Sequence, residues 1–187
     1  MDTVQNLFDV MYSRRSIRRY EEGRPVGRDV IRRLLEAAMS APSACNLQPW
    51  EFIVVDEPEG MDRLKACIGS GNGRFYNAPA AFVVCGNTRY IPWESSGVLD
   101  CGAAIENILL AVTAMGLGAV WIGDYDEDAV RGLLDIPGHV RVNSLVLLGY
   151  PAESKEPRTQ YNEEAVYWQK YDPDREHPKR STNLRFL

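Results

Sequence analysis

Four short apolar runs, at 50–55 (WEFIVV), 80–86 (AAFVVCG), 119–123 (AVWIG) and 141–149 (RVNSLVLLG), alternate with stretches of helical periodicity. Runs of this length, rich in branched and aromatic residues and bounded by proline or glycine, read as buried strands. Between them the apolar spacing changes to that of helices. Residues 3–13 place Val4, Leu7, Phe8 and Met11 on one face, with Thr3 or Asp2 as N-cap. Residues 28–40 repeat the pattern through Val30, Ile31, Leu34, Leu35 and Ala38, and Pro42 ends that helix. Further helices are expected near 58–68, over 97–116, from an Asp126 cap to Leu134, and as a short aromatic helix over 162–171. Strands alternating with helices over one core give a layered α/β or α+β domain.

The segment 97–116 is the longest of these and is apolar on most faces, through Ile105, Ile108, Leu109, Val112 and Met115. Such a helix belongs at the centre of a molecule or at a subunit seam. Glu106-Asn107 and Gly116 interrupt the apolar stretches, so no run is expected to span a bilayer, and no membrane partner is expected. Gly116 and Gly118 stop the helix. The 41–49 segment reads as a loop of small and amide residues, and 69–77, with three glycines, as a mobile loop.

Length and composition bound the rest. A chain of 187 residues, 45% hydrophobic and 25% charged, fits one globular domain and excludes a disordered, collagen-like or coiled-coil chain. The net charge of −5 argues against a nucleic-acid partner, while leaving room for a local basic pocket. Four cysteines (45, 67, 85, 101) form no C-x-x-C pair, and His139 and His177 are the only histidines, so no metal site is expected. Cys67 and Cys85 sit among apolar neighbours, which suits buried thiols in a reduced compartment. The N-terminus shows no signal-peptide pattern; the expected location is cytoplasmic.

Three segments could carry chemistry. Arg14, Arg15, Ser16, Arg18 and Arg19 gather four guanidinium groups and a hydroxyl at the end of a helix. Arginine's fork of donors matches phosphate and carboxylate, so a compact anion is the natural partner; a solvated basic face is the alternative. Pro42, Ser43, Ala44, Cys45, Asn46, Leu47, Gln48 and Pro49 suit a flat hydrogen-bonding heterocycle, or form an ordinary connecting loop. The glycines of 116–123 do not make a dinucleotide fingerprint, because here a helix ends and a strand begins. Gly116 reads instead as a helix C-cap and Gly123 as a position of close approach. No nucleophile setting such as G-x-S-x-G surrounds either histidine.

Taken in order, Arg14–Arg18, the 41–50 loop, Asp100-Cys101-Gly102-Ala103-Ala104-Ile105-Glu106-Asn107-Ile108-Leu109-Leu110-Ala111, Gly116 to Gly123, Leu148-Gly149-Tyr150-Pro151 and Pro157-Arg158 resemble the FMN-dependent nitroreductase family over about residues 8–170. The resemblance implies an α+β, three-layer α-β-α sandwich with a central mixed, mostly antiparallel sheet, and an intertwined homodimer with FMN at its interface. It implies one domain over 1–171 and a tail, 172–187, that wraps the partner subunit. Carried over, Arg14, Arg15 and Ser16 would hold the flavin phosphate and ribityl chain, and Arg18 the pyrimidine edge, with Arg74 a further candidate there. Pro42, Ser43, Ala44 and Asn46 would come from the other subunit, with Gln48 supporting their loop. The backbone of Trp121, Ile122 and Gly123 would lie against the ring, and Arg158 would add a phosphate contact. The chain resembles a short member, with 87–98 as a minimal lid and Tyr90 or Trp93 near the substrate.

The implied activity is transfer of a hydride from NADH or NADPH to the flavin, and then to a nitroaromatic, quinone or related electron-poor acceptor. No protein side chain need be catalytic, since the cofactor carries the chemistry. Other FMN reactions on the same scaffold (dehalogenation, enone reduction, flavin destruction) and a non-enzymatic flavin-binding protein stay open.

Overall fold

The structure is a computed structural model, describing residues 7–69, 76–93 and 95–176. In chain order its elements are α1 (Leu7–Ser13), α2 (Arg28–Met39), β1 (Trp50–Val55), α3 (Pro58–Ala66), β2 (Ala80–Asn87), α4 (Ser96–Ala114), β3 (Gly118–Ile122), α5 (Glu127–Leu133) and β4 (Val140–Gly149). The four strands form one sheet in the order β1-β2-β4-β3, with every pair antiparallel. A parallel bridge between Ser16 and Ala119 gives the edge at β3 its mixed character.

Strand alternation explains the layers. Successive side chains point to opposite faces. Ala80, Phe82, Val84, Val146 and Leu148 meet Ile31, Leu34 and Ala38 of α2 and Ala104, Ile105 and Ile108 of α4. Ala81, Val83, Leu145 and Leu147 meet Met61 and Leu64 of α3 and Val130 of α5 on the other side. With helices on both faces, β2 is buried along its whole length. That is why it reads as a continuous apolar run and not an alternating one. Burying each such Leu or Phe contributes about 1.5–3 kcal/mol.

Local chemistry sets the element ends. Asp126 caps α5 by accepting the Ala129 N–H at 2.9 Å. At the end of α4, Gly116 adopts φ +73, its N–H donates to the Thr113 carbonyl, and the Leu117 N–H donates to the Val112 carbonyl. This is the Schellman arrangement, and it needs the left-handed glycine. On β4, Asn143 is an extra residue: Val84 pairs with Ser144, but Cys85 pairs with Val142. The bulge turns Asn143 toward α4, where its Nδ2 donates to Cys101 Sγ at 3.2 Å.

Several expectations are corrected. The apolar residues Leu7, Phe8 and Met11 of α1 are exposed, and Val10 is its one buried residue. The proposed Asp2 or Thr3 cap, Val4 and Arg74 lie outside the described residues, as does most of the glycine loop. The segment 162–171 is not a helix; it holds a single 3-10 turn, Glu163–Ala165. An isolated turn or two of helix is marginal without a core to pack on, and Tyr161, Trp168 and Tyr171 remain exposed. By length and composition alone α4 is apolar enough to cross a membrane, a property that a buried core helix shares. Its buried residues pack between α2 and the sheet.

The chain forms two compact units, 1–157 and 158–187. In the second, Tyr167 stacks on Tyr171 with ring centroids 4.4 Å apart. Arg175 lies 4.2 Å over the Tyr167 ring and donates to the carbonyls of Glu164 and Val166.

All four cysteines are free thiols. Burial pushes the Cys85 thiol up to about 12 and the Cys101 thiol up to about 11. Cys45 alone is exposed. Since the thiolate is the reactive form, a disulfide reagent near neutral pH should label Cys45 within minutes. Cys85 and Cys101 should react only after unfolding. Prompt native labelling of either, by mass spectrometry of peptides, would contradict this packing.

Candidate functional site

The arginine segment leaves α1 and runs to the open edge of the sheet. The Ile17 N–H donates to the Ala119 carbonyl at 2.9 Å, and the Tyr20 hydroxyl donates to the Ile17 carbonyl at 2.6 Å. A Cβ on Gly118 would lie within 3 Å of three Ile17 side-chain carbons, so a glycine is required for this approach. Ser16 therefore sits beside β3, whose later residues are Trp121 and Ile122, with Gly123 following. Two of the three candidate segments thus meet on one edge. An edge strand offers unpaired backbone groups to whatever lies beside it.

The guanidinium groups differ in freedom. Arg15 Nη1 donates to the Glu156 carbonyl. Arg14 makes only a long ion pair, 3.8 Å to Glu106 on α4. Arg18 is exposed, and its Nη1 lies 3.5 Å from the Ser16 carbonyl, at the limit of a hydrogen bond. Among the described residues Arg14 and Arg18 thus have little internal use, and the Arg19 side chain makes no hydrogen bond or ion pair.

The sequence offered no sign of two residues that shape this segment. Glu153 accepts the N–H of Arg18 at 2.6 Å and of Arg19 at 3.3 Å, and pairs with Lys155 at 3.2 Å. Lys155 in turn donates to the Ser16 carbonyl. Burial alone would push the Glu153 carboxyl up, but these donors together hold it below its usual range. Neither residue belongs to a local pattern; each acts across more than 130 positions.

The amide loop is fixed from α4. Asp100 Oδ1 accepts the Ala44 N–H at 3.0 Å, and Asn107 Nδ2 donates to the Ala37 carbonyl at the end of α2. Inside the loop the Asn46 N–H donates to the Ser43 carbonyl, and the Gln48 N–H donates to Ser43 Oγ at 3.0 Å. Pro42, Asn46 and Gln48 are exposed, and Ser43 and Ala44 half-buried.

Helix α4 keeps this loop apart from the arginines. At 3.6 residues per turn, Asp100 and Asn107 share one face of the helix. Glu106, opposite Arg14, and Gly102, whose Cβ position is 3.8 Å from the Trp121 ring, share another. Trp121 is 43% exposed and Gly123 has no atom within 4 Å of where a Cβ would sit. Arg158, in the second unit, is exposed. Among the described residues, no group of three or more His, Cys, Asp or Glu is placed to hold a metal.

An α+β sandwich with an arginine segment laid along its open edge defines a class, and comparison with known proteins says which. The nitroreductase family matches over residues 11–72 and 69–150. A protein of Archaeoglobus fulgidus, provisionally named NADH dehydrogenase/NAD(P)H nitroreductase, is 39% identical over 176 residues, covering 90% of this chain and all of its own. The structure of an FMN-dependent nitroreductase from Clostridium difficile superposes with a TM-score of 0.79 at 29% identity, covering 87% of this chain and 98% of its own. A provisionally named nitroreductase from Desulfovibrio desulfuricans, solved in complex with FMN, gives 0.76 at 29% identity, over 89% of this chain and 98% of its own. The chain belongs to the nitroreductase family and is an oxidoreductase by that membership.

Proposed function

We propose that the protein is an FMN-dependent NAD(P)H oxidoreductase acting on electron-poor acceptors such as nitroaromatics or quinones. The observation that carries this reading is the pairing of underused cations with an open strand edge. Arg14 and Arg18 have no strong internal partner among the described residues, and Ser16 between them bridges to Ala119. The donor set fits the group: guanidiniums and the Ser16 hydroxyl for a phosphate and ribityl chain, and open backbone with Trp121 for a planar ring.

In this reading Arg14, Arg15 and Ser16 hold the phosphate end, and Arg18 faces the pyrimidine edge. Trp121, Ile122 and Gly123 present backbone to the ring, and the bare space at Gly123 is filled by ligand. Arg158 is assigned a phosphate contact by the family resemblance. Bound FMN supplies the two-electron chemistry, taking a hydride from NADH or NADPH and passing it to the acceptor. The Arg18 guanidinium would stabilise negative charge on the pyrimidine edge of a bound ring, an electrostatic contribution that needs no protein acid.

The functional form in this proposal is a homodimer. Leu7, Met11 and Tyr12 on α1 and Leu99 on α4 are exposed apolar side chains among the described residues, a surface suited to a second copy. The loop with Pro42, Ser43, Ala44, Asn46 and Gln48 lies on a different face of α4 from its own arginines, so it serves the site of a second copy. Residues 1–171 form the flavin-binding domain and 172–187 a tail that reaches the partner. The four free thiols support a reduced, cytoplasmic location.

Purified protein is expected to show the absorption bands of oxidised flavin, bleached by NADH or NADPH and restored by menadione or a nitrofuran. Colourless protein that takes up no added FMN would overturn the cofactor assignment. Yellow protein without turnover would leave a flavin-binding module in place of an enzyme.

A further inference from the structure

The loop after α2 is held in an unusual state. Cys45, Asn46 and Gln48 have φ of 52, 55 and 49, so three non-glycine residues out of four are left-handed. Asparagine tolerates this region; Cys and Gln do not favour it, and each such residue costs about 1–2 kcal/mol. Strain of this kind persists only where the surroundings determine the backbone. The bonds internal to the loop, from Asn46 and Leu47 N–H to the Ser43 and Ala44 carbonyls, tighten its turn but do not tie it to the protein. Asp100 Oδ1 does so, by accepting the Ala44 N–H at 3.0 Å.

Asp100 makes little sense as a stabilising residue. It is buried, at 7% exposure. Its Oδ2 is the one buried side-chain nitrogen or oxygen without a hydrogen-bond partner among the described residues. Burying a carboxylate oxygen unpaired is costly. A fold needing only a filled space here would be served by an apolar side chain.

We propose that Asp100 is the positioning residue of this loop: through the Ala44 N–H it sets the left-handed run that presents Ala44, Asn46 and Gln48 to the flavin of the second copy. The inference rests on the FMN reading above. Asn107, two turns along the same face of α4, fixes the loop's departure from α2, so one helix face sets both where the loop starts and how it turns.

The test is an FMN titration of refolded apoprotein, followed by flavin fluorescence and the visible circular dichroism of the bound flavin. Asp100→Asn keeps an acceptor oxygen for Ala44, whereas Asp100→Ala removes it. Asp100→Ala should weaken FMN binding about tenfold or more, the scale of one lost hydrogen bond, and alter the dichroism. Asp100→Asn should bind within about threefold of the parent. Because Ala44 is only half-buried and its N–H can turn to water, the apoprotein Tm of both variants should stay within about 4 °C of the parent. If the parent binds FMN and Asp100→Ala binds equally well, or if both variants lose affinity alike, the positioning role is overturned while the function stands. If the parent binds no FMN, the function falls and this inference with it.

Discussion

Replacing Arg14 and Arg18 together by alanine should weaken FMN binding about 10²–10⁴-fold while leaving the fold in place. Each guanidinium forms charge-assisted bonds to an anionic or polar ligand edge, worth about 1.5–3 kcal/mol apiece. Neither has a strong use inside the protein: Arg14 has its 3.8 Å pair with Glu106, and Arg18 its marginal contact with the Ser16 carbonyl. Loss of a surface ion pair of that kind costs about 0–1 kcal/mol of stability. Arg15→Ala should behave differently, because Arg15 already donates to the Glu156 carbonyl and its removal loosens the join between 14–19 and 153–156. Fluorescence titration gives the affinity and far-ultraviolet dichroism the fold. Fully yellow double variant, retained through gel filtration, would sink the assignment of these two arginines.

The sheet and its helices were legible because their signals are local. The 50–55 run pairs over its whole length with β2, and Asp126 and Gly116 act as the cap residues their types suggest. The apolar face of α1 was legible from its spacing, since periodicity reports a face and not what lies against it. In 162–171 aromatic spacing imitated a helix that has no core to pack on. At the site, the arginines and the amide loop could be found from residue type and order. Asp100, Glu153 and Lys155 could not be given roles, because their bonds reach 56 to 139 positions along the chain. Only the folded backbone brings such groups together. The positive φ of Cys45 and Gln48 was equally hidden, since neither residue type advertises a left-handed turn.

Tyr20→Ala should cost about 3–5 kcal/mol of stability, the range for deleting a buried aromatic side chain. For a chain of this length that lowers Tm by roughly 6–20 °C. Tyr20 is among the largest fully buried side chains. Its ring packs by Gly149, where a Cβ would stand 3.0 Å from Cδ1, and its hydroxyl donates to the Ile17 carbonyl and, at 3.2 Å, to that of Leu147. Asn77 clasps its backbone, donating to the Tyr20 carbonyl at 2.7 Å and accepting its N–H at 2.9 Å. Tyr20 therefore ties the end of the arginine segment to β4, and its loss should weaken FMN binding as well. Tyr20→Phe keeps the ring and removes the one hydroxyl proton, which goes chiefly to the Ile17 carbonyl, so about 1–3 kcal/mol should be lost. The two proteins also separate at high pH. Burial pushes the Tyr20 phenol far above its usual range, against a smaller opposing pull from Arg18. The folded form therefore keeps the proton when the unfolded chain, with a phenol near pKa 10, begins to release it. The stabilisation is full below about pH 10 and is lost above it at about 1.4 kcal/mol per pH unit. Tyr20→Phe lacks that loss, so its stability deficit relative to the parent should shrink as pH rises past 10. Denaturant melts across that range measure the difference, and parallel curves would mean that the Tyr20 hydroxyl is not buried in the way the structure places it.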